Sequence, residues 1–508
     1  EEMGRQRGYW WSPEGTHIAA CRVDESPVDV WHIADPAHPE RGAVEHRYPA
    51  AGTQNALVEL AVINVATTAR VPVLLPVHHE YLNSVSWTAG GLIAQTQTRD
   101  QRAVTVSRID PSTGDCTTVF EDIDDAWVEL VPGVPFVDSH GHLVTCADRD
   151  GVRRVLVDGA PVTPRHLQVR SVIAGGSRIV FVANEADTPW VHNIFSVNPD
   201  GSDLQNVHPT DGIVSGTSLG STTVVRTSSL DSSRASFSVL LDKREIGIRS
   251  LAEEPLVSPN VRITTVGPRN IPIAILTPRD GKDTKLPVLF DPYGGPHAQR
   301  VLSSNAAFAT SQWFADQGFV VVVADNRGTP GKGSDWEREV LHDLARPVLD
   351  DQVEVAHALP SLEPRADMTR VGIRGWSFGG YLAALAVLRA PDVFHCGVAG
   401  APVTDWRLYD THYTERYLGN PAINDAPYEA TSLLNDAEKL TRPLLIIHGL
   451  ADDNVVAAHT LQLSSALLAA GRAHEVLPLS GVTHMTPQEV VAENLLLHQL
   501  GFLRRTLG

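Results

Sequence analysis

The sequence predicts two domains of different class: a β-propeller over residues 1–255, then a doubly wound α/β domain with a mostly parallel sheet over residues 256–508. Three observations predict this. At 508 residues the chain is too long for one simple hydrophobic core. Its first half is a run of short segments rich in Val, Ile and Thr, each bounded by turn signals. Its second half alternates continuous apolar strands with helical stretches.

In the first half the strand segments are YWWSPEGTHIAAC, YLNSVSWTAGGLIAQTQT, FVDSHGHLVTCADRDG, SRIVFVANEAD, NIFSVNPDGS and TTVVRTSSLDSS. Three phrases, WWSPEGTHIAA, SWTAGGLIAQ and VDSHGHLVTC, share one pattern of apolar strand, Gly-containing turn and second strand. Recurrence about every 40 to 50 residues is the mark of propeller blades, and the count yields roughly five. An irregular sandwich is the competing reading. In the second half, LPVLFDPYGG and GFVVVVADNRG are buried strands with Gly-rich exits. TRVGIRGWSFGG runs into the helical YLAALAVLRA, and RPLLIIHGLADD runs into HTLQLSSALLAAG.

Composition narrows the function classes. Hydrophobic content of 43% with 20% charged residues is that of a globular protein, not a disordered one. A net charge of −19 disfavours nucleic acid and anionic membranes as partners. No apolar run approaches the roughly 20 residues of a membrane-spanning helix. Cys21, Cys116, Cys146 and Cys396 are scattered without metal or redox spacing, which points to structural thiols and to a cytoplasmic location. No metal-binding motif is present, His78-His79 reads as surface, and no cofactor is expected.

The chemistry lies in the second half. Gly375-Trp376-Ser377-Phe378-Gly379 is G-x-S-x-G between the strand VGIRG and the helix GYLAALAVL. In that context it is a nucleophile elbow, where small neighbours allow a tight turn and leave the serine Oγ exposed. A serine hydroxyl needs a base, so an acid and a histidine should follow in that order. LLIIHGLADDNV supplies Asp452 and Asp453, and VLPLSGVTHMT ends in His484. The order Ser377, Asp452, His484 is that of an α/β-hydrolase; Asp452 is chosen as nearer the strand end, with Asp453 the alternative. His448, at the end of a strand, reads as structural. The N–H of Phe378 is the expected first oxyanion donor, and Tyr293, in the loop Pro292-Tyr293-Gly294-Gly295-Pro296, is a candidate second.

GWSFGGY, DPYGGP, HGLADDNV and above all YDTHYTERYLGNP resemble the prolyl oligopeptidase family in its dipeptidyl peptidase IV branch. The likeness continues through YWWSPEGTHIAA, VDESPVDVWHIADP and RYPAAGTQN, nearest to the dipeptidyl peptidase eight- and nine-like and bacterial members. The resemblance implies a triad of Ser377, Asp452 and His484, with Tyr293 as side-chain oxyanion donor. It implies a proline pocket lined by Val403, Trp406, Tyr409, Tyr413 and Val455, with Asn454 reaching a substrate carbonyl and Arg416 beside the substrate-binding acids. An aromatic box suits a compact pyrrolidine ring that has no N–H to satisfy. The family usually has Tyr where this chain has Phe378.

The branch is also defined by a Glu-Glu pair upstream of the WW-S-P strand, and EEMGRQRGYWW has Glu1 and Glu2 at the corresponding distance. Two carboxylates can accept hydrogen bonds from a substrate ammonium and so fix the cut two residues from the free N-terminus. Relatives carry further blades before this pair, so the propeller of residues 1–255 is expected to be partial, with N-terminal blades absent or the propeller shortened. The activity implied is release of N-terminal X-Pro, and less well X-Ala, dipeptides through an acyl-enzyme, from peptides with a free N-terminus, by a homodimer. An acylaminoacyl peptidase or prolyl endo-oligopeptidase on the same frame is the alternative, and a non-catalytic propeller scaffold is a further one.

Overall fold

The computed structural model describes residues 7–241, 244–279, 281 and 284–508. The N-terminal part is a β-propeller region of five four-stranded antiparallel sheets among the described residues. They begin at Tyr9–Trp11, Tyr81–Thr88, Phe136–Val137, Leu167–Ala174 and Ile213–Leu219. Consecutive sheets pack through shared apolar clusters. Leu60 and Val62 of the first meet Leu92 and Ile109 of the second, and Ile93 and Val106 meet Val137 and Leu143 of the third. Val144 and Val155 meet Leu167 and Phe181 of the fourth, and Val182 and Ile194 meet Val214 and Val225 of the fifth. Face-to-face packing of successive short sheets is what propeller blades do. One hairpin, Val30–Ile33 paired with Val44–Arg47, leaves the first sheet between its second and third strands.

The C-terminal part is an α/β-hydrolase domain. Its sheet holds β1 (Val261–Val266), β2 (Ile271–Leu276), β3 (Leu286–Phe290), β4 (Val320–Ala324), β5 (Ala366–Trp376), β6 (Cys396–Gly400), β7 (Leu444–Gly449) and β8 (Glu475–Leu479). The order is β1-β2-β4-β3-β5-β6-β7-β8; β2 runs antiparallel to β1 and β4, and all later pairs are parallel. The central strands are apolar throughout because both faces are covered. Even so, the two-residue period persists: Val320, Val322 and Ala324 enter one core cluster, Val321 and Val323 the other. Helices α2 (Arg346–Leu362) and α3 (Phe378–Arg389) cover the first face; α1 (Ala309–Asp316) and α6 (Glu489–Leu507) cover the second. Between them in sequence lie α4 (Thr411–Leu418) and α5 (Ala458–Ala469). Among the described residues no helix is long and apolar enough to cross a membrane.

The two parts meet around α4. Thr411 N–H donates to Pro49 O and Ala51 N–H to Tyr409 O, both at 2.8 Å, and the Tyr48 hydroxyl donates to Asn454 O at 2.8 Å. Ion pairs reinforce this backbone strap: Arg99 with Glu415 at 2.7 Å, Arg153 with Glu337 at 2.7 Å, and Arg338 with Asp124 at 2.6 Å.

Candidate active site

Loops at the C-terminal ends of the parallel strands carry the chemistry, as in open α/β sheets generally. The turn from β5 into α3 holds Ser377 at φ 59° and ψ −118°, a left-handed conformation that few non-glycine residues adopt. The flanking glycines make it possible. A Cβ on Gly375 would lie 2.3 Å from the Gly379 backbone, and one on Gly380 would lie 2.2 Å from Gly400 O. Ser377 N–H donates to Gly400 O at 2.8 Å, which locks the turn onto β6. The N–H of Phe378 opens α3 and has no carbonyl partner inside the helix.

His484, in the loop after β8, has its Nδ1 2.7 Å from Oδ2 of Asp452, in the loop after β7. Asp452 is buried, and its Oδ1 accepts from the N–H groups of Asn454 at 3.0 Å and Val455 at 2.8 Å. This carboxylate is therefore fixed from one side by backbone and used from the other by imidazole. Bonding at Nδ1 leaves Nε2 of His484 free to accept a proton. The loop is tied back, since Trp376 Nε1 donates to His484 O at 2.8 Å. His448 is buried and spans Thr460 Oγ1 at 2.6 Å and Val455 O at 2.7 Å, an arrangement that braces the acid loop.

Ser377 and His484 open on a cavity of about 670 Å³, whose walls include Tyr293, Tyr409, Tyr413, Asn454, Arg416 and Glu129. Tyr293 lies 6.2 Å, ring to ring, from Phe378, and its hydroxyl is 3.4 Å from Nε2 of His297. Trp406 stacks on Tyr413 at 6.0 Å, and Tyr409 meets Tyr413 edge-on at 5.3 Å. Trp406, Val403 and Val455 are buried, forming the core behind the two tyrosines, while the tyrosines face the cavity. The Tyr409 hydroxyl donates to Asn454 Oδ1 at 3.1 Å. Burial and the neighbouring phenol rings push the Tyr413 hydroxyl well above the usual tyrosine range, so it stays protonated as a hydrogen-bond donor.

Arg416 is nearly buried; its Nε donates to Gln101 Oε1 at 2.6 Å and its Nη1 to Glu129 at 3.3 and 3.2 Å. Burial alone would raise the Glu129 carboxyl, but the guanidinium groups of Arg416 and Arg153 outweigh it and hold the group below its ordinary value. Burial also pushes two cavity histidines down, His412 to about 3 and His297 less far, with Arg416 adding to both. Glu1 and Glu2 lie outside the described residues.

Three polar groups of this wall, Glu129, His297 and His412, are absent from the sequence reading, as is Gln101, which bonds Arg416 from behind it. His297, four residues after Tyr293 in PYGGPH, had a local signal. Gln101 and Glu129 had none, since each meets Arg416 across roughly 300 residues of chain.

Comparison with known proteins gives a consistent result. The model of the prolyl oligopeptidase family matches residues 305–508, and that of the dipeptidyl peptidase IV N-terminal region matches residues 1–222. The chain is 26% identical over 632 residues to dipeptidyl peptidase 8 of Mus musculus, covering 100% of this chain and 69% of that protein. It is 40% identical over 232 residues to dipeptidyl peptidase 8 of Homo sapiens, covering 44% of this chain and 26% of that protein. The crystal structure of Porphyromonas gingivalis dipeptidyl peptidase 4 matches with a TM-score of 0.90 at 25% identity, over 100% of this chain and 75% of that one.

Proposed function

The chain belongs to the prolyl oligopeptidase family of serine hydrolases, in its dipeptidyl peptidase IV branch, and from that premise we propose that it releases N-terminal X-Pro, and less well X-Ala, dipeptides from peptides. The observation that carries the reading is one cavity shared by the elbow serine, the Asp452-bound His484 and the Tyr409–Tyr413 aromatic pair.

Ser377 Oγ attacks the carbonyl carbon after proline while His484 Nε2 takes its proton. Asp452 accepts from Nδ1–H throughout, fixing the tautomer and stabilising the imidazolium. The Phe378 N–H and the Tyr293 hydroxyl stabilise the oxyanion. His484 then protonates the departing amine nitrogen as the C–N bond breaks, and water hydrolyses the acyl-enzyme by the same route in reverse roles. Tyr409 and Tyr413, with Trp406, Val403 and Val455 behind them, hold the pyrrolidine ring, and Asn454 contacts a substrate carbonyl. Glu1 and Glu2 bind the substrate ammonium.

The division at residues 255 and 256 belongs to the same reading. It is supported by the last blade strand ending at Ile248 and the first sheet strand of the hydrolase starting at Val261. So do a homodimeric state and a cytoplasmic location, the latter supported by four free cysteines. The test compares turnover of a free-amine Gly-Pro reporter with that of its N-acylated counterpart. Free-amine turnover alone is expected; equal turnover of the two would sink the exopeptidase reading.

A further inference from the structure

Glu129 has no part in the chemistry described above, yet it faces the same cavity as Ser377. Of the described residues lining that cavity, it is the only carboxylate. The other full charge is Arg416, and burial keeps His297 and His412 uncharged near neutral pH.

Its contacts leave acceptor capacity unused. Both Glu129 oxygens lean on a single nitrogen, Nη1 of Arg416, at 3.3 and 3.2 Å, instead of taking the two-nitrogen fork of a saturated pair. Trp127 Nε1 donates to Oε2 at 3.2 Å. A carboxylate offers about four acceptor positions. The side chain remains 27% exposed.

Its mounting is rigid. Trp127 is buried and meets Tyr417 edge-on at 5.3 Å. Val128 N–H donates to Gln101 O at 2.8 Å, and Gln97 Nε2 donates to Val128 O at 3.2 Å. The propeller thus delivers a fixed anion to the cavity.

Its position along the substrate follows from α4. Arg416 lies three residues beyond Tyr413 on that helix, about 4.5 Å along its axis. That is about one extended residue further from the aromatic pair. A substrate with proline between the tyrosines would place its preceding residue, with that residue's α-amine and side chain, towards Glu129.

We propose that Glu129 is a specificity-determining residue that binds an ammonium group of the residue preceding proline, supplied either by the α-amine or by a basic side chain. This rests on the dipeptidyl peptidase reading. Arg416 holds the carboxylate in place and keeps it ionised, and the incoming N–H groups take the unfilled lone pairs.

The experiment measures kcat and KM of wild type, Glu129→Gln and Glu129→Asp on free-amine Gly-Pro, Leu-Pro and Lys-Pro reporters. The rate at which a small uncharged fluorophosphonate labels Ser377 is measured alongside. Loss of one charge-assisted bond should raise KM about tenfold in Glu129→Gln, with kcat within about twofold, and less in Glu129→Asp. An equal rise for all three reporters assigns the α-amine; a rise confined to Lys-Pro assigns the side chain. Unchanged KM in both variants overturns the proposal. So does a fall in kcat for every reporter together with slowed labelling, which marks a structural brace. None of these outcomes bears on the exopeptidase reading, which stands or falls on whether wild type discriminates against the N-acylated reporter.

Discussion

Arg99→Ala should loosen the enzyme at the joint between its two parts. Glu415 is only 2% exposed, and its carboxylate takes Arg99 Nε at 2.8 Å, Arg99 Nη2 at 2.7 Å and Gly52 N–H at 2.7 Å. Arg99 also donates to Thr53 O at 2.7 Å. Removing one partner of a buried pair leaves an uncompensated charge, which costs about 3–5 kcal/mol. Here the Gly52 N–H remains and Arg99 is itself 25% exposed, so the lower end applies, about 3 kcal/mol. At about 2–4 °C per kcal/mol for a domain of this size, the first thermal transition should fall by about 6–12 °C. Tyr409 precedes α4, and Tyr413 and Arg416 sit on it, so KM for a Gly-Pro reporter should rise as well. Arg99→Ala/Glu415→Gln removes the stranded charge and should melt above Arg99→Ala alone. The assay is thermal unfolding of the three variants at one pH and salt concentration. If Arg99→Ala melts within about 1 °C of wild type, or the double variant melts no higher than the single one, the stranded-charge argument is wrong.

Two further outcomes are expected. Tyr293→Phe should lower kcat by about 100-fold with little change in KM, since an oxyanion donor acts only on the developing charge. A loss under about threefold would remove Tyr293 from the oxyanion site. Asp325 gives a pH signature. Burial pushes its carboxyl up to about 6, against the N–H groups of Arg300 and Val301 that favour the anion. A raised acid binds more protons folded than unfolded, so its contribution is most favourable at low pH and declines as pH rises from about 4 to about 6. Between pH 5 and 7.5 wild type should lose about 1 kcal/mol relative to Asp325→Asn, read as converging or crossing melting curves. A constant difference across that range would refute the raised value.

The fold was legible where one stretch of chain carries its own signal. LPVLF, VVVVA and LLII are apolar throughout and shorter than helices, which marks strands covered on both faces. The blades declared themselves by repetition. The hairpin at Val30–Arg47 did not, because VWHI and VEHR are too short and too polar to stand out from a loop. At the site, G-x-S-x-G and the order of acid and histidine are local or ordinal features and pointed to Ser377, Asp452 and His484 as the residues to inspect. Whether a pocket residue faces the cavity or backs it is not such a feature. Trp406 and Tyr413 are equally aromatic in sequence, yet one fills the core and the other lines the opening. Contacts between Arg416 and the propeller depend on how two domains dock, and no period or motif encodes that.

This docking also divides the chemistry from the recognition. Elbow, acid loop and histidine loop all rise from strand ends of one sheet and are braced by its own backbone, as with Ser377 N–H on Gly400 O and Trp376 Nε1 on His484 O. The recognition wall is different. α4 carries Tyr413 and Arg416 into the cavity with Ser377, where Arg416 meets Gln101 and Glu129, while Glu415 engages Arg99 away from it. A change at Arg99, Gln101 or Glu129 therefore displaces groups that hold substrate, while Ser377 and His484 keep their bracing on the sheet. Substitutions at Arg99, Gln101 or Glu129 should act mainly through KM, and those at the strand ends mainly through kcat. A joint variant that lowered kcat alone, at unchanged KM, would show that the two are coupled through the sheet after all.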